Sequence, residues 1–405
     1  MTARRPLGLA AMGLVTPLGS GQAEVARALF QGTNRGLVAR DDLLPGRTVR
    51  VGEVSAELPP SPPSAAAYDC RNNRLMLAAI EQIRPAIDEA IDRHGCSRIG
   101  VVLGTSTSGI DEHEKARTYR ARTGEWPAGV DYRQWEIGSL SDFAALVLGV
   151  TGPAYTIATA CTASAKVFAS GRRLIEAGIC DAVVVGGADT LAGMTVAGFS
   201  SLEAMSRGLC NPFSRNRDGI NIGEGAAAFL MVRDETAVNL LGSGECSDAY
   251  HISAPEPDGK GAHQAMRLAL DDAGLRPDEV AYINLHGTGT PLNDSMEAKA
   301  VAALFGMATP CSSTKAMIGH ALGAAGACEA AFLWLTLHPT FNPDHRLPPH
   351  LWDGVGDPEM PAIRLVDPDA CFEGRTGRIA MLSNSFAFGG NNVALAFGGE
   401  ARSWR

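Results

Sequence analysis

The sequence lacks the marks of several large classes of protein. Its 405 residues contain no apolar run of about 18 residues, so no membrane span is expected. Thirty-five Lys and Arg oppose 44 Asp and Glu, which gives a net charge of −9, and no long basic run argues for nucleic-acid binding. The nine cysteines include no Cys-X-X-Cys pair, which argues against a structural zinc site.

Several nucleotide-binding and catalytic motifs are missing as well. No segment matches the dinucleotide-binding Gly-X-Gly-X-X-Gly pattern after a strand, the phosphate-binding loop or the zinc-protease His-Glu-X-X-His pattern. An odd number of cysteines in a chain of this size is typical of a reducing compartment, so we expect a cytoplasmic location. With 45% hydrophobic residues the chain can bury a large core, and its length indicates two or three structural units.

Short apolar runs alternate with segments of helical length, which indicates an α/β fold. The first run, 7–15, follows Arg4 and Arg5 and resembles the apolar part of a signal peptide, but we interpret it as a buried first strand. Further strands are predicted at 99–103, 155–158, 182–185, 226–232, 280–285, 379–382 and 393–397. Helices are predicted at 74–93, 164–176, 261–273, 295–305 and 324–337.

Two parts of the chain resemble each other. The segment TIATA at 156–160 leads into a helix of small residues, and CSSTKAMIGH at 311–320 leads into ALGAAGACEAA. Helices so rich in Ala and Gly expose little polar surface, so we expect both to be buried between sheets. The sequence therefore predicts a duplicated α/β unit, with an N-terminal half at 1–240 and a C-terminal half at 241–405.

Cys161 is the first candidate for chemistry. It follows a predicted strand and precedes a predicted helix, where N–H groups and the helix dipole stabilise a thiolate and can hold an oxyanion. A buried structural cysteine is the alternative, because that is the more common fate of a free thiol.

Two histidines and a lysine follow strands in the second half. His286 opens a loop of Gly and Thr, and Lys315 precedes His320 by five residues. A lysine near two imidazoles disfavours their protonation, and neutral imidazoles can donate hydrogen bonds. Each residue also has a structural explanation: a strand-end histidine bound to main chain, a surface lysine and a helix cap.

A loop with two phenylalanines links the last two predicted strands. Its sequence, SNSFAFGGNN at 383–392, places Phe386 and Phe388 beside two glycines. Glycine permits unusual backbone conformations, so the segment is either a loop with a movable aromatic side chain or an ordinary hairpin.

Together these segments resemble the elongating β-ketoacyl-acyl carrier protein synthases, the condensing enzymes of fatty acid and polyketide synthesis. The resemblance spans nearly the whole chain and includes NPF at 211–213, RDG at 217–219, GEG at 223–225 and SDAYHI at 247–252. Initiating synthases carry Asn where His320 stands, and thiolases use a second cysteine. The resemblance implies a thiolase fold: two α/β halves in five α-β-α-β-α layers, usually as a homodimer.

The resemblance also implies a role for each candidate. Cys161 would carry the acyl chain as a thioester, and His286 and His320 would donate hydrogen bonds to the malonyl thioester oxygen as CO₂ leaves. The N–H groups of Cys161 and Phe388 would hold the oxyanion of acyl transfer. Lys315 would orient the histidines. The substrate-binding residues implied are Thr288 and Thr290 at the pantetheine arm, Thr107 at the acyl-chain pocket, Glu329 beside Lys315, and Asp248.

No bound cofactor is implied, because the phosphopantetheine arm arrives on the acyl carrier protein. The family often holds a structural Na⁺ or K⁺ ion, and the matching positions are Asn284, Glu329, Ser383 and Asn384. Arg71 and Arg74 would meet the acidic carrier, although Glu203 stands where the family often has Arg. The partner chain would be a second copy or a related ketosynthase-like chain.

Three positions depart from the family pattern. Ala387 replaces a Gly of the gating loop and resists positive φ, so we expect the Phe388 gate to move less freely. Asn391 replaces a Thr, and Thr107 replaces a bulky Ile, which would admit a longer or less apolar chain. A specialised product, such as an aryl polyene, is therefore an alternative to housekeeping fatty acid synthesis. A catalytically silent chain-length partner and a CoA-dependent thiolase also stay open.

Overall fold

The computed structural model describes residues 4–372 and 377–400, and within these ranges the chain forms 15 strands and 11 α-helices. The strands are β1 (Leu7–Thr16), β2 (Gly19–Ser20), β3 (Leu37–Arg40), β4 (Val49–Gly52), β5 (Ile99–Gly104), β6 (Ala154–Ile157), β7 (Ala182–Asp189), β8 (Ile222–Gly223), β9 (Gly225–Val232), β10 (Asn239–Ser247), β11 (Val280–Asn284), β12 (Pro310–Ser312), β13 (Arg364–Leu365), β14 (Arg378–Phe386) and β15 (Asn391–Glu400). The helices are α1 (Gln22–Phe30), α2 (Arg71–Glu81), α3 (Arg84–His94), α4 (Ile110–Thr123), α5 (Ser139–Leu148), α6 (Ala163–Glu176), α7 (Gly193–Ser201), α8 (Lys260–Ala273), α9 (Pro291–Phe305), α10 (Lys315–Ile318) and α11 (Ala325–Leu337).

The predicted strands are confirmed, and the first apolar run forms β1. The single helix predicted at 74–93 is wrong, because α2 ends at Glu81 and α3 begins at Arg84. Pro85 explains the break, since proline lacks an amide hydrogen and fits only the first turn of an α-helix. Helices α1, α4, α5, α7 and α10 lie outside the predicted segments. In α4 only Ala116 is buried, so that helix has no apolar stripe for a sequence pattern to reveal.

The two halves of the chain repeat one strand order. In the first half the strands lie in the order β6-β5-β7-β9-β1, and in the second half in the order β12-β11-β14-β15-β10. Numbered along the chain, both orders read 3-2-4-5-1, and the parallel and antiparallel pairings also agree. The halves join where β1 pairs with β10. A boundary after residue 240 would fall inside β10, and the predicted division stays a prediction.

Three hydrophobic clusters fill the spaces between five layers of helices and strands. One joins α6 and α11 to the inner faces of both halves of the sheet. The second packs α2 and α5 on the outer face of the first half, and the third packs α8 and α9 on that of the second half. The layers therefore alternate α-β-α-β-α, as expected, with α6 and α11 at the centre.

The central helices approach each other closely because their facing residues are small. A Cβ atom on Gly326 of α11 would lie 2.8 Å from the Cβ of Ala165 on α6. One residue further on, the Ala327 N–H donates a hydrogen bond of 2.9 Å to the Ser164 hydroxyl. This contact fixes the N-terminal ends of both central helices, where the candidate residues lie.

Two further observations concern the whole of the described chain. All nine cysteines are free thiols. Among the described helices, none combines the length and apolarity that crossing a membrane requires.

Candidate active site

Cys161 lies in a tight turn between β6 and α6. The preceding residue, Ala160, has a φ of 51°, in the left-handed region that residues other than glycine rarely adopt. The Thr162 hydroxyl braces the turn by donating a 2.7 Å hydrogen bond to the Thr159 carbonyl. Strain of this kind persists where the surrounding structure fixes it, often at a functional residue. The turn leaves the Cys161 side chain at the wall of a cavity, with 7% of its surface exposed.

Both candidate histidines lie beside this thiol. The Nε2 atom of His320 is 3.1 Å from the Cys161 Sγ atom. The ring of His286 lies edge-on to that of His320, with centroids 5.2 Å apart. Residues from both halves of the chain thus meet within one buried cluster.

Lys315 lies behind His286. Its Nζ atom donates to the His286 carbonyl at 2.5 Å, pairs with the Glu329 carboxylate and lies 3.4 Å from His286 Nδ1. An ammonium group can only donate, so Nδ1 accepts and the proton of a neutral His286 sits on Nε2. The lysine therefore sets the imidazole to donate from its Nε2 side.

Burial keeps both imidazoles neutral. It lowers the pKa of His286 and of His320 well below the usual value, and the positive charge of Lys315 lowers both further. The sequence predicts that Lys315 keeps the imidazoles neutral, but its charge lowers the two pKa values less than burial does. Neutral imidazoles can donate to an oxygen that gains negative charge.

The same burial opposes ionisation of the nucleophile. It raises the pKa of the Cys161 thiol to about 12, although Lys315 acts in the opposite direction. The free thiolate expected from the helix start is therefore not favoured. His320 is the nearest group that can accept the thiol proton.

Two buried carboxylates that sequence reasoning missed hold the His286 loop. Glu297 accepts hydrogen bonds from the N–H groups of His286 and Gly287, at 2.8 and 2.7 Å. Asp294 accepts from Gly289 and Phe213. Burial raises the pKa of Glu297 to about 7 and also raises that of Asp294. Their spacing of three residues, which puts both on one side of α9, is the only signal in the sequence.

A cavity of about 380 Å³ opens from Cys161 to the surface. Among the predicted residues, Thr288, Thr290, Asp248 and Phe388 line it together with Cys161, His286 and His320. The Thr288 and Thr290 hydroxyls are 2.9 Å apart. Most of the remaining lining is apolar, as a site for an acyl chain and its linker requires.

The segment around Phe388 is a hairpin turn between β14 and β15 that also lines the cavity. Gly389 and Gly390 have φ values of 83° and 75°, while Ala387 keeps an ordinary negative φ. Phe388 is 38% exposed and stacks on Phe199 of α7, with centroids 5.6 Å apart. Its N–H donates to no residue in the described part of the chain, so it is available to an oxyanion. Asp248 accepts from Asn392, which ties the end of β10 to the same turn.

The four positions implied for a monovalent cation carry unpartnered buried oxygens. Within the described ranges, Asn284 Oδ1, Glu329 Oε2, Ser383 Oγ and Asn384 Oδ1 accept no hydrogen bond. Asn284 and Ser383 are neighbours on paired strands and share a face. Asn384 is the next residue of β14 and so points to the other face, where it donates to Glu297. Asn284 and Ser383 therefore present unpartnered oxygens, the kind of ligand a hard ion takes, on one face of the sheet, and the Asn384 side chain does not join them.

Three predicted residues lie away from the cavity. The Thr107 hydroxyl is buried and donates to Asp189 instead of lining the cavity. Arg71 forms two hydrogen bonds with the buried Glu224, and Arg74 pairs with Asp69. Both guanidinium groups are thus already neutralised, and their contact with a carrier stays a prediction.

Comparison with known proteins agrees with this architecture. The family models for the β-ketoacyl synthase N-terminal and C-terminal domains match residues 5–237 and 238–346. The 3-oxoacyl-[acyl-carrier-protein] synthase 2 of Staphylococcus aureus is 33% identical over 348 residues, which cover 81% of this chain and 84% of that protein.

Solved structures agree as well. A chain in the complex of the ketosynthase ApeO with its chain length factor ApeC, from Xenorhabdus doucetiae, is 45% identical. It covers 98% of this chain and 100% of its own length, with a TM-score of 0.91. The ishigamide ketosynthase/chain length factor is 26% identical with a TM-score of 0.84, over 98% of this chain and 100% of that one.

The five layers and the site between the halves define a thiolase-fold condensing enzyme. More specifically, the chain belongs to the β-ketoacyl synthase family. It is an acyltransferase of the 3-oxoacyl-[acyl-carrier-protein] synthase type, acting in fatty acid or polyketide synthesis.

Proposed function

We propose that Cys161 holds the growing acyl chain and that His286 and His320 drive its extension by a malonyl unit on an acyl carrier protein. The observation that carries this proposal is the 3.1 Å contact between His320 Nε2 and Cys161 Sγ, with His286 beside it. The cavity that opens at this contact suits a phosphopantetheine arm passing Thr288 and Thr290. The carrier delivers that arm, so no bound cofactor is needed.

The first step is transfer of the acyl group. His320 takes the thiol proton as the Cys161 sulfur attacks the carrier thioester. The bond to the pantetheine sulfur then breaks, and the pantetheine thiol leaves with that proton. Burial of Cys161 disfavours a free thiolate, so proton removal and attack must be coupled. The N–H groups of Cys161 and Phe388 would hold the oxyanion.

The second step forms the carbon–carbon bond. The malonyl carboxylate leaves as CO₂, and its bonding electrons form an enolate whose oxygen accepts hydrogen bonds from His286 Nε2 and from His320 in the tautomer that carries its proton on Nε2. The enolate carbon attacks the Cys161 thioester, the carbon–sulfur bond breaks, and the released thiolate takes a proton from solvent. Neutral donors aimed at a developing negative charge strengthen in the transition state, so they speed the reaction.

We also propose a monovalent cation held by Asn284, Ser383 and Glu329. Their unpartnered oxygens would coordinate the ion there, and a set of oxygen ligands alone suits a hard cation. The ion would supply fixed positive charge near the buried Lys315–Glu329 pair. It would act as a structural element and take no part in bond making.

The partner chain proposed is a second ketosynthase-like chain, identical or related. Strand β6 ends the sheet with its residues partly exposed, including Tyr155 at 37%. Helix α4, which packs against α7, is also mostly uncovered, with Tyr119 47% exposed. An open strand edge and exposed aromatic rings favour a partner. The two solved relatives described above are ketosynthases with a chain length factor, which supports a heterodimer.

Acyl trapping tests the central assignment. After incubation with an octanoyl-loaded acyl carrier protein, mass spectrometry should find the acyl mass on the peptide of Cys161. Cys161→Ala should lose it, and Cys180→Ala, which removes another buried thiol, should keep it. Absence of any adduct in the native chain would favour a silent chain-length partner. Efficient thiolysis of a β-ketoacyl-CoA by free CoA would favour a thiolase.

A further inference from the structure

One buried carboxylate outside the cavity gathers hydrogen bonds from two other segments of the chain. Asp189 ends β7, has no exposed surface, and receives donors from the loop after β5 and from the turn after His320. We call Asp189, Thr105, Ser106, Thr107 and Gly323 the Asp189 hub. Its bonds come from Thr105 Oγ1 (2.6 Å), Ser106 N (2.8 Å), Ser106 Oγ (2.5 Å), Thr107 N (2.9 Å), Thr107 Oγ1 (2.9 Å) and Gly323 N (2.5 Å).

The Asp189 hub holds the segment that follows a reacting imidazole. Gly323 lies three residues after His320, and Leu322 between them has a φ of 49°. A Cβ atom on Gly323 would lie 2.8 Å from Asp189 Oδ2 and 2.7 Å from Ser106 N, so the contact requires glycine. On its other side, the His320 main chain is bonded to Asn221 and Gly223. The chain around His320 is therefore fixed both at the residue and just beyond it.

Thr107, which the family resemblance places at the acyl-chain pocket, contributes its hydroxyl to the Asp189 hub. Its hydroxyl donates to Asp189 and accepts from the Thr190 N–H at 3.1 Å, so the polar end of this side chain faces the hub. Asp189 is also near enough to Cys161 for its negative charge to raise the thiol pKa. The hub is thus bonded to the turn that follows His320 and acts electrostatically on Cys161.

We propose that Asp189 is a positioning residue that holds His320 at its working distance from Cys161 through the Gly323 turn. This inference rests on the function proposed for His320. Only an ionised carboxylate can accept all six donors. In an Asp189→Asn variant, either orientation of the amide would turn its NH₂ group toward a main-chain N–H. The displaced N–H groups would loosen the turn after His320.

A double-mutant cycle separates this role from simple structural support. The probe is malonyl pantetheine, and kcat and KM for its decarboxylation are measured for the purified chain with any partner that co-purifies. Asp189→Asn should lower kcat by about 10- to 100-fold, the effect of a misplaced catalytic group, with little change in KM. In a His320→Ala background, Asp189→Asn should cause no further loss beyond about twofold, because the residue through which it acts is gone.

Controls keep the outcome clear. Asp272→Asn makes the same chemical change at a half-buried contact with Arg172 and Ser243, and it should leave kcat unchanged. If Asp189→Asn does not fold, Ser106→Ala removes one donor and takes its place in the cycle. Equal losses from Asp189→Asn with and without His320, or no loss at all, would overturn the positioning role. A normal rate for His320→Ala would instead overturn the proposed function.

Discussion

The Nζ atom of Lys166 donates a hydrogen bond of 3.0 Å to the Oδ1 atom of Asn391. Lys166 lies in the first turn of α6, five residues after Cys161, and Asn391 begins β15 directly after the Phe388 turn. The nucleophile helix and the gating turn are therefore joined by residues 225 positions apart in sequence.

Lys166→Met should loosen the gating turn, because it keeps the aliphatic stem and removes the donor. Loss of a hydrogen bond of about 1 kcal/mol would raise the open population by roughly fivefold. The measurement is the rate of alkylation of Cys161 by a bulky maleimide, read from the mass of its peptide. Lys299→Met, which removes a lysine bound to the distant Pro257 carbonyl, is the matched control. Equal rates for the two variants would contradict the link.

Ala387→Gly should make the same turn more mobile by a different route. Ala387 donates to Asn391 at 2.8 Å with a negative φ, and glycine would add left-handed conformations that alanine disfavours. We expect faster maleimide alkylation of Cys161 and an altered preference among acyl chains of different length. Unchanged alkylation and unchanged product lengths would show that Ala387 does not control the movement of the gating turn.

Decarboxylation should stay fast as the pH falls from 8 to about 6. Burial and Lys315 keep both histidine pKa values well below the usual 6.5, so the imidazoles remain neutral over this range. Replacing both buried charges, in Lys315→Met with Glu329→Gln, should raise these pKa values and move the acid limb of the kcat profile toward neutral pH. A limb that stays in place would show that Lys315 does not act on the histidines.

The same pKa shifts predict how stability depends on pH. In the unfolded chain these histidines regain a pKa near 6.5, so below that pH the unfolded state binds protons that the folded state does not. The contribution of these two histidines to stability should therefore fall as the pH drops below about 6.5, while Glu297 and Glu329, whose pKa values burial raises to about 7, contribute in the opposite direction. Melting temperatures between pH 8 and 5 should therefore fall more steeply for the native chain than for a variant with both His286→Asn and His320→Asn, and parallel curves would contradict the histidine contribution.

Gly326→Ala should destabilise the chain, because its new Cβ would meet α6 at 2.8 Å and force the central helices apart. Overpacking of this kind costs about 1–3 kcal/mol. Gly198→Ala is the matched control within helix α7, where a Cβ would meet nothing within 4 Å. Urea unfolding should show a loss for the first variant and none for the second. Equal urea midpoints for the two variants would mean that α6 and α11 shift to accommodate the added methyl group.

Much of the fold could be predicted from local pattern. The apolar runs that became β5, β7 and β9, and the small-residue segments that became α6 and α11, carry their own signals of period and composition. Helix α4 could not be predicted in this way, because it is polar on nearly every side. The break between α2 and α3 was signalled by Pro85, but the apolar pattern continues through it.

The sequence by itself placed Cys161, His286 and His320 at strand ends and marked their loops, because strand ends and glycine-rich turns are local features. Tertiary structure alone decided that these residues meet, that burial more than Lys315 keeps the imidazoles neutral, and that Thr107 faces Asp189. The contacts of the Asp189 hub and of Lys166 join residues from about 80 to more than 200 positions apart. A local pattern cannot encode such contacts, because they exist only once the layers have packed.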